Sequence, residues 1–308
     1  PNSIFLEIFF KALKKKFKTP ILLISSEKIL KLQMKYFNFK KKIRVLDYRK
    51  LNQYKIDNES INLININYNQ TRPFEKISSK SNNFINQSFI LAFKIIRKYK
   101  LVKFINGPVV KKTFLRKKYL GITEFISKKF NIKNNAMLIY NKNLSVCPIT
   151  THLPLKSVTK KITKKLIYEK TKLINNFYKK YFKKKPKIAV LGLNPHCESI
   201  DKVSEEKNII TPAVKILNRK GLRVDGPFPS DTFFLKKNID KYQVVIGMYH
   251  DQVLTPIKTL FNFNAINITV GLPFIRISPD HGPNSEMLGK NISDPTSFFY
   301  AMEFIKRI

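Results

Sequence analysis

A chain of 308 residues with 43% hydrophobic content can bury a core in two α/β lobes, which excludes a disordered polymer. Its formal charge of +39 would point to nucleic acid or an anionic membrane, but only nine of its 59 basic residues are Arg and the Lys are scattered; the excess reads as a coding bias toward AT-rich codons, with no specific nucleic-acid partner. Cys147 and Cys197 form no CxxC and exclude a disulfide framework, so a reducing, cytoplasmic compartment is expected, and no apolar run approaches the roughly 18 residues of a membrane span.

In chain order, residues 4–17 carry an apolar helical face with Lys14, Lys15 and Lys16 near its end. The chain opens at Pro1 and not at Met, which leaves a processed and a trimmed start both open. A short strand at 21–24, a helix capped by Ser25-Ser26 and running to Tyr36, and a strand at 43–46 follow, so strand and helix alternate toward a largely parallel sheet. The Asn-rich piece 52–81 reads as a surface excursion around a strand at 63–66. A helix at 84–99 and a strand at 101–105 complete this part.

All nine Gly lie between Gly107 and Gly289, so the site-building loops are expected in that stretch. Thr123 reads as the cap of a helix, 136–140 and 144–148 as paired strands leading to His152, and 155–182 as one long Lys-rich helix. The clearest buried strand is 187–193, with Asn194-Pro195-His196 at its end. A helix at 208–220 closes at Gly221, and 224–232 reads as a rigid loop carrying Asp231. The run Val244-Val245-Ile246 is a buried strand opening into a loop that presents His250, Asp251 and Gln252 together, the position at which open α/β sheets keep their chemistry. The chain has four His, and each stands beside turn or cap residues next to apolar runs.

Five ordered motifs, TTHLPL, GLNPHCES, GPFPSDTFF, MYHDQVLTPIK and NITVGLPFIRISPDHG, resemble the 4-hydroxythreonine-4-phosphate dehydrogenase family of pyridoxine 5′-phosphate biosynthesis. The resemblance is dense from about Gly107 onward and weak before it. It implies a two-domain α/β fold like that of isocitrate and isopropylmalate dehydrogenases, with mostly parallel sheets, a central cleft and no GxGxxG turn. The domains would be 1–115 plus 285–308, and 116–284 with most of the motifs. It also implies NAD as cofactor and a homodimer with shared active sites. The metal ligands it implies are His152, His196 and His250, and neutral imidazoles on separate loops suit Zn or another divalent ion such as Mg, Co or Mn. Substrate contacts carry over to Thr123, Lys258, Asn267 and Arg276, cations and neutral donors of the kind a phosphate monoester requires. Asp231, Asp251 and Asp280 are the candidate acids for orienting ligands or relaying protons.

Two family His are replaced: Ile122 stands before Thr123, and Val110 stands in the Gly107-Pro108-Val109 segment. The expected reaction is metal-dependent, NAD-linked oxidation and decarboxylation of 4-phosphooxy-L-threonine to 3-amino-2-oxopropyl phosphate. Two alternatives stand beside it: a related dehydrogenase of a phosphorylated sugar acid (a threonate or erythronate phosphate), and a degenerate, non-catalytic basic protein that binds nucleic acid.

Overall fold

The structure, a computed structural model, describes residues 1–308 apart from 116, 117, 120, 199–203, 263, 280 and 281. The chain divides into two compact units, Pro1–Ile122 with Ser278–Arg307 and Thr123–Ile277.

In the first unit, β1 (Leu22–Ser25), β2 (Ile43–Val45) and β3 (Ile61–Asn65) form a parallel sheet in the order β1-β3-β2. Parallel strands need crossovers, and the helix Glu27–Tyr36 supplies the first. Ser26 caps that helix by accepting the Ile29 N–H, as the sequence predicts. The helix Phe5–Leu13 buries Leu6, Ile8, Phe9 and Phe10, with Phe9 set edge-on against Phe298 at 6.1 Å between ring centroids. The helix Asn82–Tyr99 and the strand β4 (Lys103–Ile105) follow. A cavity of about 310 Å³ in this unit is lined by apolar groups such as Phe5, Phe89, Phe104 and Met302 and by none of the predicted site residues.

The second unit holds β5 (Ala136–Tyr140), β6 (Ser145–Pro148), β7 (Lys187–Leu191), β8 (Arg223–Phe228), β9 (Val244–Gly247), β10 (Ile266–Val270) and the start of β11 (Ile275–Pro279). They lie in the order β11-β10-β5-β6-β9-β7-β8. The four strands β6, β9, β7 and β8 are mutually parallel, whereas β5 is antiparallel to both β6 and β10. Val244, Val245 and Ile246 are fully buried, the pattern of a central strand covered on both faces. Each such side chain contributes about 1.5–3 kcal/mol on burial.

Four predicted elements differ in detail. The long helix breaks: Val158–Lys161 is a single turn, and Lys164–Phe182 starts afresh because Thr163 turns extended and caps it by accepting the Leu166 N–H. Arg223–Phe228 is strand β8 and not a rigid loop, because pairing with β7 satisfies its backbone. Thr123 does not cap its helix. That helix, Ile122–Lys129, already includes Thr123, and the threonine hydroxyl is taken up by Arg276. His250, Asp251 and Gln252 likewise form the first turn of the helix His250–Phe261, and only Met248 and Tyr249 separate it from β9.

Candidate active site

The parallel order β6-β9-β7-β8 sends the C-terminal ends of four neighbouring strands to one edge. His152 follows β6, His250 and Asp251 follow β9, His196 follows β7 and Asp231 follows β8. An edge of this kind is where open α/β sheets bind ligands.

Thr150 and Gln252 tie these loops to one another, and Glu206 braces the loop after β7. Thr150 donates through its backbone N–H (3.1 Å) and its hydroxyl (2.8 Å) to the Met248 carbonyl, tying the His152 loop to the His250 loop. Gln252 accepts the Met248 N–H at 2.6 Å and donates to the Gly192 carbonyl at 2.7 Å, reaching the His196 loop. Glu206 accepts the N–H groups of Leu193 (2.7 Å) and Asn194 (2.8 Å) and the Asn194 side-chain amide (2.9 Å). Burial raises the Glu206 pKa, but the donors led by the Asn194 N–H outweigh it, and the carboxyl lies below its ordinary value. The clamp holds an unusual backbone: His196 and Cys197 both take left-handed φ, +55° and +61°, at about 1–2 kcal/mol per residue. Burial, with help from the Glu206, Asp231 and Glu198 carboxylates, raises the Cys197 thiol and keeps it protonated.

His152 and His250 are close, 5.9 Å between ring centroids with a 37° tilt. The His250 Nδ1 lies 2.6 Å from the Asp251 carboxylate, an arrangement that fixes Nδ1 as the donor and leaves Nε2 for a ligand. His196, on the next strand's loop, is exposed. Among the described residues no group of three or more His, Cys, Asp and Glu is arranged to hold a metal ion, so the three imidazoles share an edge without being gathered into one ligand cage. The donor chemistry of the His152–His250 pair, with Asp251 behind it, fits a divalent ion.

Arg276 is 3% exposed on β11 and donates to the hydroxyls of Thr269 (3.0 Å) and Thr123 (3.3 Å). Burial lowers its pKa to about 10 against the opposing pull of Glu124, which still leaves it cationic at neutral pH. Asn267 is half-buried on β10, and its Oδ1 has no hydrogen-bond partner among the described residues. Lys258 is exposed two turns along the helix from His250, and Asp231 and Asp251 are also exposed. Asp280 lies outside the described residues. Sequence reading missed Thr150, Glu206 and Thr269, which act through backbone or through Arg276. For Glu206 the available signal was an acid pair, Glu205-Glu206, just ahead of a helix.

A family model described as "Pyridoxal phosphate biosynthetic protein PdxA" matches residues 16–305. A 4-hydroxythreonine-4-phosphate dehydrogenase from Sulfurihydrogenibium sp. is 46% identical over 196 residues, 62% of this chain and 60% of that protein. One from Aquifex aeolicus is 40% identical over 189 residues, 61% of this chain and 58% of that protein. The chain thus spans about three fifths of the length of the curated relatives it matches. Among solved structures, a 4-hydroxythreonine-4-phosphate dehydrogenase from Klebsiella pneumoniae superposes with a TM-score of 0.84 at 26% identity, covering 99% of this chain and 95% of that one. One from Burkholderia phymatum gives 0.80 at 28% identity, covering 97% and 93%. These neighbours agree with the expected α/β fold.

Proposed function

The chain belongs to the family of pyridoxal phosphate biosynthetic protein PdxA, and on that premise we propose that it oxidises and decarboxylates 4-phosphooxy-L-threonine to 3-amino-2-oxopropyl phosphate, using NAD and a divalent metal ion. The observation that carries this reading is the placement of His152, His250, His196 and Asp231 on one edge of four adjacent parallel strands.

His152 and His250 would hold the ion, and His196, on the neighbouring loop, would be brought in as the third ligand. When bound, a divalent ion (Zn, Mg, Co or Mn) lowers the pKa of the substrate hydroxyl and favours loss of hydride to the nicotinamide. Asp251 keeps the His250 ring in the ligating tautomer. Asp231, on the β8 side of the edge, and Asp280 take the hydroxyl proton or orient the groups that do. Arg276, already oriented by two threonine hydroxyls, binds the phosphate with Lys258, Thr123 and Asn267. The oxidised C3 then makes the acid a β-keto acid, which loses CO₂. As in the family its motifs resemble, the enzyme works as a homodimer with shared sites. No specific nucleic acid or membrane partner is part of this reading, and the charge of +39 acts as a general attraction for anionic ligands.

A second reading has one observation in its favour. Ile122, buried beside Thr123, stands where the resemblance implies a substrate-contacting histidine, a change at the substrate site that would accompany a different phosphorylated substrate such as a sugar acid. Following NADH release with 4-phosphooxy-L-threonine and with erythronate 4-phosphate in parallel tests the choice. Turnover of the first supports the proposal, and turnover of the second alone supports its rival.

A further inference from the structure

We propose that Gln252 is a positioning residue that sets the spacing between the loops carrying His250 and His196, and through it the affinity of the site for a divalent cation. The proposal rests on the metal-dependent reading above. Gln252 is 7% exposed and spans two backbones: its Oε1 accepts the Met248 N–H just beyond β9, and its Nε2 donates to the Gly192 carbonyl just beyond β7. The backbone fixes the amide orientation, because an N–H must meet the oxygen and a C=O must meet the nitrogen. A carboxamide is the side-chain group that satisfies both at once.

The surroundings leave the bridge little freedom. A Cβ at Gly247 would lie 2.4 Å from Val253 Cγ1 and 3.1 Å from the Gln252 Oε1, and one at Gly192 would lie 2.6 Å from the Cys197 sulfur. Glycine at the end of β9 therefore leaves room for the glutamine, and glycine just beyond β7 leaves room for Cys197. On one side Met248 is held by Thr150 from the His152 loop, and on the other Leu193 and Asn194, next to Gly192, are held by Glu206. Gln252 is the link between those two anchored segments. Without it the β7 loop, whose His196 is exposed and left-handed, loses the side-chain tie that joins it, among the described residues, to the loop of His250.

Two variants separate the bridge from its local arm. Gln252→Glu keeps an acceptor for the Met248 N–H but sets an oxygen against the Gly192 carbonyl, so only the bridge breaks. Its added negative charge by itself favours a cation, so a loss of affinity runs against the electrostatics. Gln252→Met removes both arms. Co²⁺ alone is titrated into the metal-free chain, and kcat and KM are measured across metal concentrations. Both variants are expected to bind Co²⁺ roughly 10- to 100-fold more weakly, as loss of a supporting contact behind metal ligands does. Activity is expected to recover at saturating metal, which a general loss of structure would not produce. A folded Gln252→Glu that binds Co²⁺ within twofold of the parent overturns the proposal, whether or not Gln252→Met folds. If the parent itself binds no Co²⁺, the metal-dependent reading fails together with it.

Discussion

Removing the Glu206 carboxylate is expected to loosen the end of β7 by a predictable amount. In Glu206→Leu, the N–H groups of Leu193 and Asn194 lose their acceptor, whereas the Asn194 side-chain amide keeps the Glu205 carboxylate at 2.9 Å. Each buried donor left without a partner costs about 1–3 kcal/mol, and both residues are only half-buried, so water recovers part of it. The two backbone donors together give about 2–4 kcal/mol. In Glu206→Gln one oxygen still accepts from both backbone groups, but two charge-assisted bonds become neutral and an NH₂ opposes the Asn194 amide. The relief of burying a neutral group offsets part of this, leaving a cost of about 1–2 kcal/mol. Urea unfolding at neutral pH measures both, with the order parent, Gln, Leu. Because the folded pKa lies below the unfolded value of 4.5, the clamp's contribution is complete above that value and is lost as pH falls through the folded one. The acid limb of the stability curve is therefore expected to flatten in Glu206→Gln. A Leu variant within about 0.5 kcal/mol of the parent, the range of an ordinary surface substitution, would refute the clamp.

Other substitutions probe the frame and the substrate pocket. Tyr178→Phe removes a buried hydroxyl that donates to Ser145 at 2.8 Å, and is expected to cost about 1 kcal/mol in urea unfolding. Gly226→Ala sets a Cβ 2.3 Å from the Val190 carbonyl at φ +132°, and a loss of about 3 kcal/mol is expected by thermal unfolding, with β7 and β8 forced apart. Ile122→His, beside Thr123, is expected to lower KM for 4-phosphooxy-L-threonine about tenfold by adding one charge-assisted bond; an unchanged KM would remove position 122 from the substrate site.

The local elements were legible where side-chain chemistry is local. Ser26 and the strand Val244–Gly247 declare themselves by a cap residue and a β-branched run. The break before Lys164 was not, because Thr163 caps by taking an extended backbone inside an unbroken Lys-rich pattern. Histidines beside strand ends were visible as candidates. Their common edge was not, because the order β6-β9-β7-β8 comes from long-range pairing that no sequence period encodes. Thr123 shows the same limit: beside a glycine it reads as a cap, but its hydroxyl is set by an arginine 153 positions away. Supporting groups such as Glu206 escape notice because an acid that binds only backbone leaves no motif.

The most direct test of the account is NADH production from 4-phosphooxy-L-threonine by the parent chain and by His250→Ala, with bound metal quantified in the same samples. The parent is expected to retain metal and turn over the substrate, to stop on chelation and to resume when a divalent ion is restored. His250→Ala is expected to lose both metal and turnover, since His250 is one of the two closely set imidazoles. Full metal content and undiminished NADH production in His250→Ala would contradict the account.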